Sequence, residues 1–114
     1  MTKPLPPTLR EKNRYLAFEI LSEKKFSRDD VTKAIWNSAM RFLGELGVGK
    51  TSLWLIDWEE ERQHGIIKVN HKSIDEIRAS LALIKEINSF PVIPRVKGIS
   101  GTIKKTRETW LNQK

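Results

Sequence analysis

Apolar residues recur along this chain first at every second position, then at helical spacing, then in two further strand-like runs, then at helical spacing again and last as a strand. That order leaves few folds open. Leu16, Phe18 and Ile20 alternate with Tyr15, Ala17 and Glu19, which predicts a strand over residues 14–20. Ser27, with Asp30 three residues on, reads as an N-cap with an acidic first turn, opening a helix to about residue 46. Val31, Ile35, Ala39, Phe42 and Leu46 form one apolar stripe of that helix, and Trp36, Met40 and Leu43 form a second beside it. Covering a sheet takes one stripe. The second predicts a further contact, either with the chain's own carboxyl-terminal helix or with a partner protein. Gly47 and Gly49 end the helix, residues 51–58 and 64–70 predict strands, and Glu59, Glu60 and Glu61 make an acidic hairpin tip read as a solvated turn. Ser73 with Glu76 is a capping box for a second helix to about residue 88, striped by Ile74, Ile77, Leu81, Ile84 and Ile87. Residues 90–97 are the last strand.

Pro94 lies in that last strand, and proline cannot donate to a ladder, so the strand belongs on a sheet edge. The βαββαβ order is the split βαβ of α+β, ferredoxin-like folds: a four-stranded antiparallel sheet with two helices on one face. Right-handed crossovers place the first and third strands centrally and the second and fourth at the edges, as Pro94 requires. After Gly98 a short helix follows, with Ser100 or Thr102 near its start and Ile103 and Trp110 on one side. Pro4, Pro6 and Pro7 make residues 1–13 an extended basic arm, leaving 14–114 as a single domain.

Net charge is +7, and its placement matters more than its size. Lys3, Arg10, Lys12 and Arg14 against Glu11 give residues 1–14 a charge of +3. Arg95, Lys97, Lys104, Lys105, Arg107 and Lys114 against Glu108 give residues 91–114 a charge of +5, while the stretch between carries −1. Excess positive charge at both ends of a near-neutral body predicts a surface facing a polyanion, provided the ends meet in space. Adjacent antiparallel first and fourth strands supply that meeting: Arg14 enters one as Lys97 leaves the other. The chain has no cysteine, which excludes disulfides and thiolate metal sites and favours a cytoplasmic address. No apolar run approaches the roughly 20 residues that span a bilayer, so no membrane partner is expected.

Residues 96–107 place Gly98 and Gly101, Ser100 and Thr102, and Lys104, Lys105 and Arg107 side by side. Flexible backbone, hydroxyl donors and cations together are the chemistry of a phosphate seat; the same residues also suit a solvated basic tail. Other motifs carry less. Residues 44–51 match G-x-x-x-x-G-K-[ST] letter for letter, but a helix precedes and a strand follows, the reverse of a phosphate-cradling loop. His64 and His71 flank a strand without further ligands nearby, and no carboxylate pair or nucleophile signature supports catalysis by the protein. Trp54 and Trp58 share a face of the second strand by simple alternation, while His64-Gly65-Ile66-Ile67-Lys68-Val69 lacks the aromatic residues of an RNA-recognition motif.

The segments Leu5-Pro6-Pro7-Thr8-Leu9-Arg10, Asn13-Arg14-Tyr15-Leu16-Ala17-Phe18-Glu19-Ile20 and Ser100-Gly101-Thr102-Ile103-Lys104-Lys105 resemble the archaeal ribonuclease P protein component 2 family, related to a eukaryotic subunit of ribonuclease P and ribonuclease MRP. The resemblance implies a ferredoxin-like fold and a non-catalytic role in an RNA–protein complex that removes the 5′ leader from precursor tRNA. It implies as partners the ribonuclease P RNA and a second protein subunit, with precursor tRNA met indirectly. The protein itself is expected to bind no cofactor, and Mg2+ is expected in the catalytic RNA. On charge and topology, Arg14, Lys97, Lys104, Lys105 and Arg107 would neutralise phosphates while Ser100 and Thr102 donate hydrogen bonds. A different RNA-binding module of the same fold, or a protein–protein adaptor with solubilising ends, are the rival readings.

Overall fold

β1 (Asn13–Leu21) is the strand on which the sheet assembles, because it pairs antiparallel with β3 (His64–Asn70) on one side and with β6 (Ile93–Ser100) on the other. β2 (Trp54–Glu59) pairs with β3, giving the order β2-β3-β1-β6. This is the expected ferredoxin-like arrangement, with Pro94 on the outer strand. The computed structural model describes residues 12–111. The predicted arm falls almost wholly outside them, as do Lys3, Arg10 and Lys114.

Leu16, Phe18 and Ile20 point from β1 into the main core, where they meet Val31, Ile35 and Ala39 of α1 (Arg28–Gly49) and Ile77 and Leu81 of α2 (Ile74–Ala82). Phe18 and Val31 are fully buried. The opposite face, through Ala17 and Ile66, is covered by the carboxyl-terminal segment: α3 (Ile103–Thr106) and a π-helical turn (Arg107–Leu111) that lays Leu111 and Trp110 on the sheet. Three layers result. The terminal helix therefore does not cover α1: of its second stripe, Trp36 and Leu43 pack against the main core and Met40 is exposed, while Phe42 and Leu46 at the end of the first stripe are exposed as well.

The chain folds this way locally for reasons visible in its hydrogen bonds. Ser27 Oγ accepts from the amide of Asp30 at 3.3 Å and an Asp30 carboxylate oxygen accepts from the Ser27 amide at 3.4 Å, a reciprocal cap on α1. α1 runs past residue 46 but breaks at Gly44, whose φ of 74° only glycine adopts cheaply. The P-loop-like letters thus lie in a broken helix end, and the Thr51 hydroxyl is spent on the Val48 carbonyl at 2.7 Å.

Ser73 makes no capping hydrogen bond; a 3-10 turn (His71–Ser73) precedes α2, capped by Asn70, which accepts from the Lys72 amide at 2.9 Å. α2 stops at Ala82 rather than residue 88. Ile84 and Ile87 are core residues of a non-helical stretch that ends in a small hairpin, β4 (Glu86–Ile87) with β5 (Phe90–Pro91), turned through Asn88 and Ser89 at positive φ. Their helix-like spacing comes from burial alone. The fourth main strand accordingly begins at Ile93 and runs to Ser100, three residues later than the sequence predicts.

Two bulges decide which side chains share a face. In β2 the register shifts between Leu55 and Asp57, leaving Ile56 as the extra residue. Alternation therefore fails: Trp58 stacks on Phe18 in the main core, centroids 5.7 Å apart, and donates from its ring nitrogen to the Phe26 carbonyl at 3.0 Å. Trp54, paired with Lys68, lands on the other face and is 60% exposed. The two tryptophans expected on one face are on opposite ones. In β6 the shift makes Lys97 the extra residue.

Gly98 faces the terminal segment so closely that a Cβ there would overlap the Trp110 indole. Its lack of a side chain admits that ring rather than a ligand. Gly98→Ala should lift Trp110 and its turn off the sheet, lowering stability by about 1–3 kcal/mol and raising amide exchange over residues 103–111; unchanged exchange would refute this packing role. A second expectation concerns acid. A hydrogen bond from Asn88, aided by Ser27, holds the Asp30 carboxyl below its ordinary value. The fold favours the charged form, so this stabilisation is present at neutral pH and drains away as pH falls through and below about 4. Asp30→Asn should be less stable than wild type at pH 7, with the gap closing in acid titrations followed by circular dichroism.

Candidate nucleic-acid interface

On the second face of the sheet three rows cross all four strands, with the pairs Asn13–Asn70 and Leu21–Ile93 beyond them at either end. Nearest the start of β1 come Trp54, Lys68, Tyr15 and Ser100; next come Asp57, Ile66, Ala17 and Gly98; last come Glu59, His64, Glu19 and Arg95. The middle row lies under the terminal segment. Arg107 clamps it to β2 through two bonds to Asp57, Nε at 2.6 Å and an η nitrogen at 2.9 Å. These bonds and the charge of Asp57 hold the Arg107 pKa above its ordinary value. The groups of the last row are engaged with one another: His64 shares a hydrogen bond with Glu59, and Arg95 forms an ion pair with Glu19. His64 is thereby a buried side chain with a partner, and His71 sets a ring nitrogen 3.0 Å from the Lys12 carbonyl. No group of three or more His, Cys, Asp or Glu among the described residues is placed to hold a metal ion. No helix among them is long and apolar enough to cross a membrane.

The predicted site residues separate into two sets. Tyr15 pairs with Ser100, so Arg14 lies beside the chain as it leaves β6, and α3 follows against β1 and β6. Arg14, Ser100, Thr102, Lys104 and Lys105 thus belong to one rim. Lys104 and Lys105 are exposed and, like Arg14, make no ion pair among the described residues. Lys97 sits inside the strand instead, its ammonium donating to the Trp110 carbonyl at 3.1 Å, and Arg107 is drawn across the sheet to Asp57.

The hydroxyls are partly engaged. Thr102 Oγ1 accepts from the Lys105 amide at 3.1 Å as the cap of α3, and Ser100 Oγ accepts from the Thr102 amide at 3.4 Å. Accepting leaves each hydroxyl proton able to donate outward. Of the two, Thr102 is exposed and Ser100 buried. Lys68 and Trp54 also front this rim; sequence reasoning passes over Lys68 and places Trp54 on one face with Trp58, where outward-facing rings could stack bases or anchor a protein. For Lys68 the signal was available, since strand alternation puts it on the face of Tyr15; for Trp54 the bulge hid it.

The Arg107–Asp57 pair sits at the surface, so its coupling should be below about 1 kcal/mol. In a double-mutant cycle of denaturant unfolding, Asp57→Asn and Arg107→Ala should each cost about that much and the double variant no more than either. Full additivity would mean the clamp contributes nothing.

The comparisons with known proteins agree with this architecture. Residues 14–111 match the model of the Rpp14/Pop5 family. A protein of Pyrococcus furiosus named ribonuclease P protein component 2 is 45% identical over 111 residues, covering 97% of this chain and 92% of its own length. Proteins of the same name from Thermococcus gammatolerans and Methanococcus maripaludis are 46% and 40% identical, covering 96% and 98% of this chain and 91% and 85% of their own. Among solved structures, a chain of yeast ribonuclease MRP superposes with a TM-score of 0.68 at 15% identity, over 90% of this chain and 87% of that one, which shows a shared fold. With the family model spanning nearly the whole chain, from the start of β1 to the buried Leu111, this protein belongs to the Rpp14/Pop5 family.

Proposed function

We propose that this chain is a protein component of ribonuclease P that binds the enzyme's RNA along the rim of β1 and β6 and supports removal of the 5′ leader from precursor tRNA. The component role follows from its family and from relatives of that name, matched over about nine-tenths of their length. The observation that carries the RNA-binding part is the Tyr15–Ser100 register, which sets Arg14 beside the segment bearing Lys104 and Lys105. Those cations lack ion-pair partners among the described residues, whereas Arg107 and Lys97 are engaged within the protein. Chemistry is left to the RNA, with Mg2+ bound there and no cofactor on the protein. A second protein subunit suits the apolar surface of Met40, Phe42 and Leu46 on α1, and precursor tRNA is met through the assembly. A cysteine-free composition suits a cytoplasmic address.

Reconstitution is the direct test: added to the cognate RNA with its partner proteins, the chain should raise precursor-tRNA cleavage, and no increase would refute the role. The rim has its own test. With about three phosphates neutralised, by Arg14, Lys104 and Lys105, the logarithm of RNA affinity should fall against the logarithm of salt with a slope of about −2 to −2.7. Replacing Lys104 and Lys105 together by Ala should flatten it by about one to two units. Arg107→Ala should change it little, and Asp57→Asn, which releases Arg107, should steepen it by up to about one unit. A slope indifferent to Lys104 and Lys105 would remove them from the interface.

A further inference from the structure

We propose that the outermost row of the second sheet face, Trp54–Lys68–Tyr15, is a seat for unpaired nucleobases of RNA, distinct in chemistry from the phosphate rim beside it. The inference rests on the RNA-binding reading above and adds to it a contact that reads single-stranded segments.

Three observations converge. The bulge at Ile56 turns Trp54 away from the core, leaving the indole 60% exposed on the sheet face instead of packed like Trp58. The ladders place Lys68 between Trp54 and Tyr15, so a cation stands between two rings. Of the other two rows that cross all four strands, one is covered by the terminal segment and one is occupied by its Glu59–His64 and Glu19–Arg95 contacts, so of the three this row alone offers an exposed ring beside a cation.

Strand spacing puts Trp54 and Tyr15 about 10 Å apart, twice the separation of neighbouring strands. Bases stacked at about 3.4 Å cannot bridge that gap. The row therefore takes splayed bases: one on the exposed indole, and its neighbour against the edge of Tyr15, which is itself half-covered by the Ala17, Ile66 and Leu111 cluster. Lys68 sits where the intervening phosphate would pass. Lys104 and Lys105 then continue the positive track at the same end of the sheet, which makes an RNA strand the occupant that fits the charge. Paired RNA hides its bases and offers nothing for the indole to stack on.

The experiment compares a single-stranded oligoribonucleotide with a duplex of equal length, each titrated against the full chain at fixed salt. Trp54→Ala should weaken the single strand about tenfold, within the range expected for one stacked base, and leave duplex binding and the salt slope unchanged. Trp54→Phe should retain most of the lost affinity, because a ring is restored. Lys68→Ala should flatten the slope for the single strand by just under one unit. Equal loss for both RNAs, no loss for either, or failure of Phe to rescue would each overturn the seat; so would loss of protein-partner binding with single-strand affinity intact. If Trp54→Ala is silent while the Lys104 and Lys105 variants still flatten the slope, the seat falls and the rim stands. If both are silent, the RNA-binding reading falls with it.

Discussion

The antiparallel ladder between β1 and β6 holds together everything that matters here. It joins residues some eighty positions apart, Tyr15 with Ser100 and Leu21 with Ile93, so nearly the whole chain must be ordered before it can close. Closing so long a loop costs entropy that only burial on both sides of the sheet can offset. Burial is found there: Leu16, Ala17 and Phe18 are fully buried, the first and third under the main helices and the second under the terminal segment. The rim at the end of this ladder is consequently no loose tail. Its geometry lasts as long as the global fold does, as the proposed phosphate contacts would require.

Strand order, the edge position of Pro94, the Ser27 cap and the limits of the third strand were all legible in the sequence, because each rests on local chemistry or on strict alternation. What alternation cannot show is an inserted residue. The bulge at Ile56 is imposed from outside β2: Arg28 donates to the carbonyls of Leu55 at 2.6 Å and Ile56 at 3.2 Å, and the Phe18–Trp58 stack pulls the downstream half of the strand into the core. Neither partner adjoins β2 in the chain, so the exchange of faces between Trp54 and Trp58 had no local signature. The overlong second helix has a similar cause. Ile84 and Ile87 are buried for tertiary reasons, and their spacing imitates a helix that Asn88 and Ser89 contradict.

The carboxyl-terminal motif has the composition of a phosphate seat or of a solvated basic tail, and much of that chemistry holds the chain to itself. Gly98 makes room for an indole, Thr102 caps α3, and Arg107 neutralises Asp57. Composition alone could not separate these uses, because a backbone amide and a phosphate oxygen ask similar things of neighbouring hydroxyls and cations. Only the positions of Asp57 and Trp110, each brought in by the sheet, divide engaged groups from available ones.

That division gives the second face a direction. Its far row pairs Glu59 with His64 and Glu19 with Arg95, and its middle row pairs Asp57 with Arg107. Nothing acidic stands in the near row, where Lys68 is joined by Lys104 and Lys105 beyond Ser100, while Arg14 lies at the same end of the sheet on its other face. Partnered charges cancel within a few ångströms, while unpartnered ones reach outward over about a Debye length, roughly 8–10 Å. A body carrying almost no net charge thus presents a field that grows toward one edge, and a polyanion approaching at random is drawn to the edge where an exposed indole waits. In the proposed RNA contact, steering by the cations and holding by the ring are separable effects of neighbouring residues. The first weakens with salt and the second does not, which is why the two belong to one surface without being one interaction.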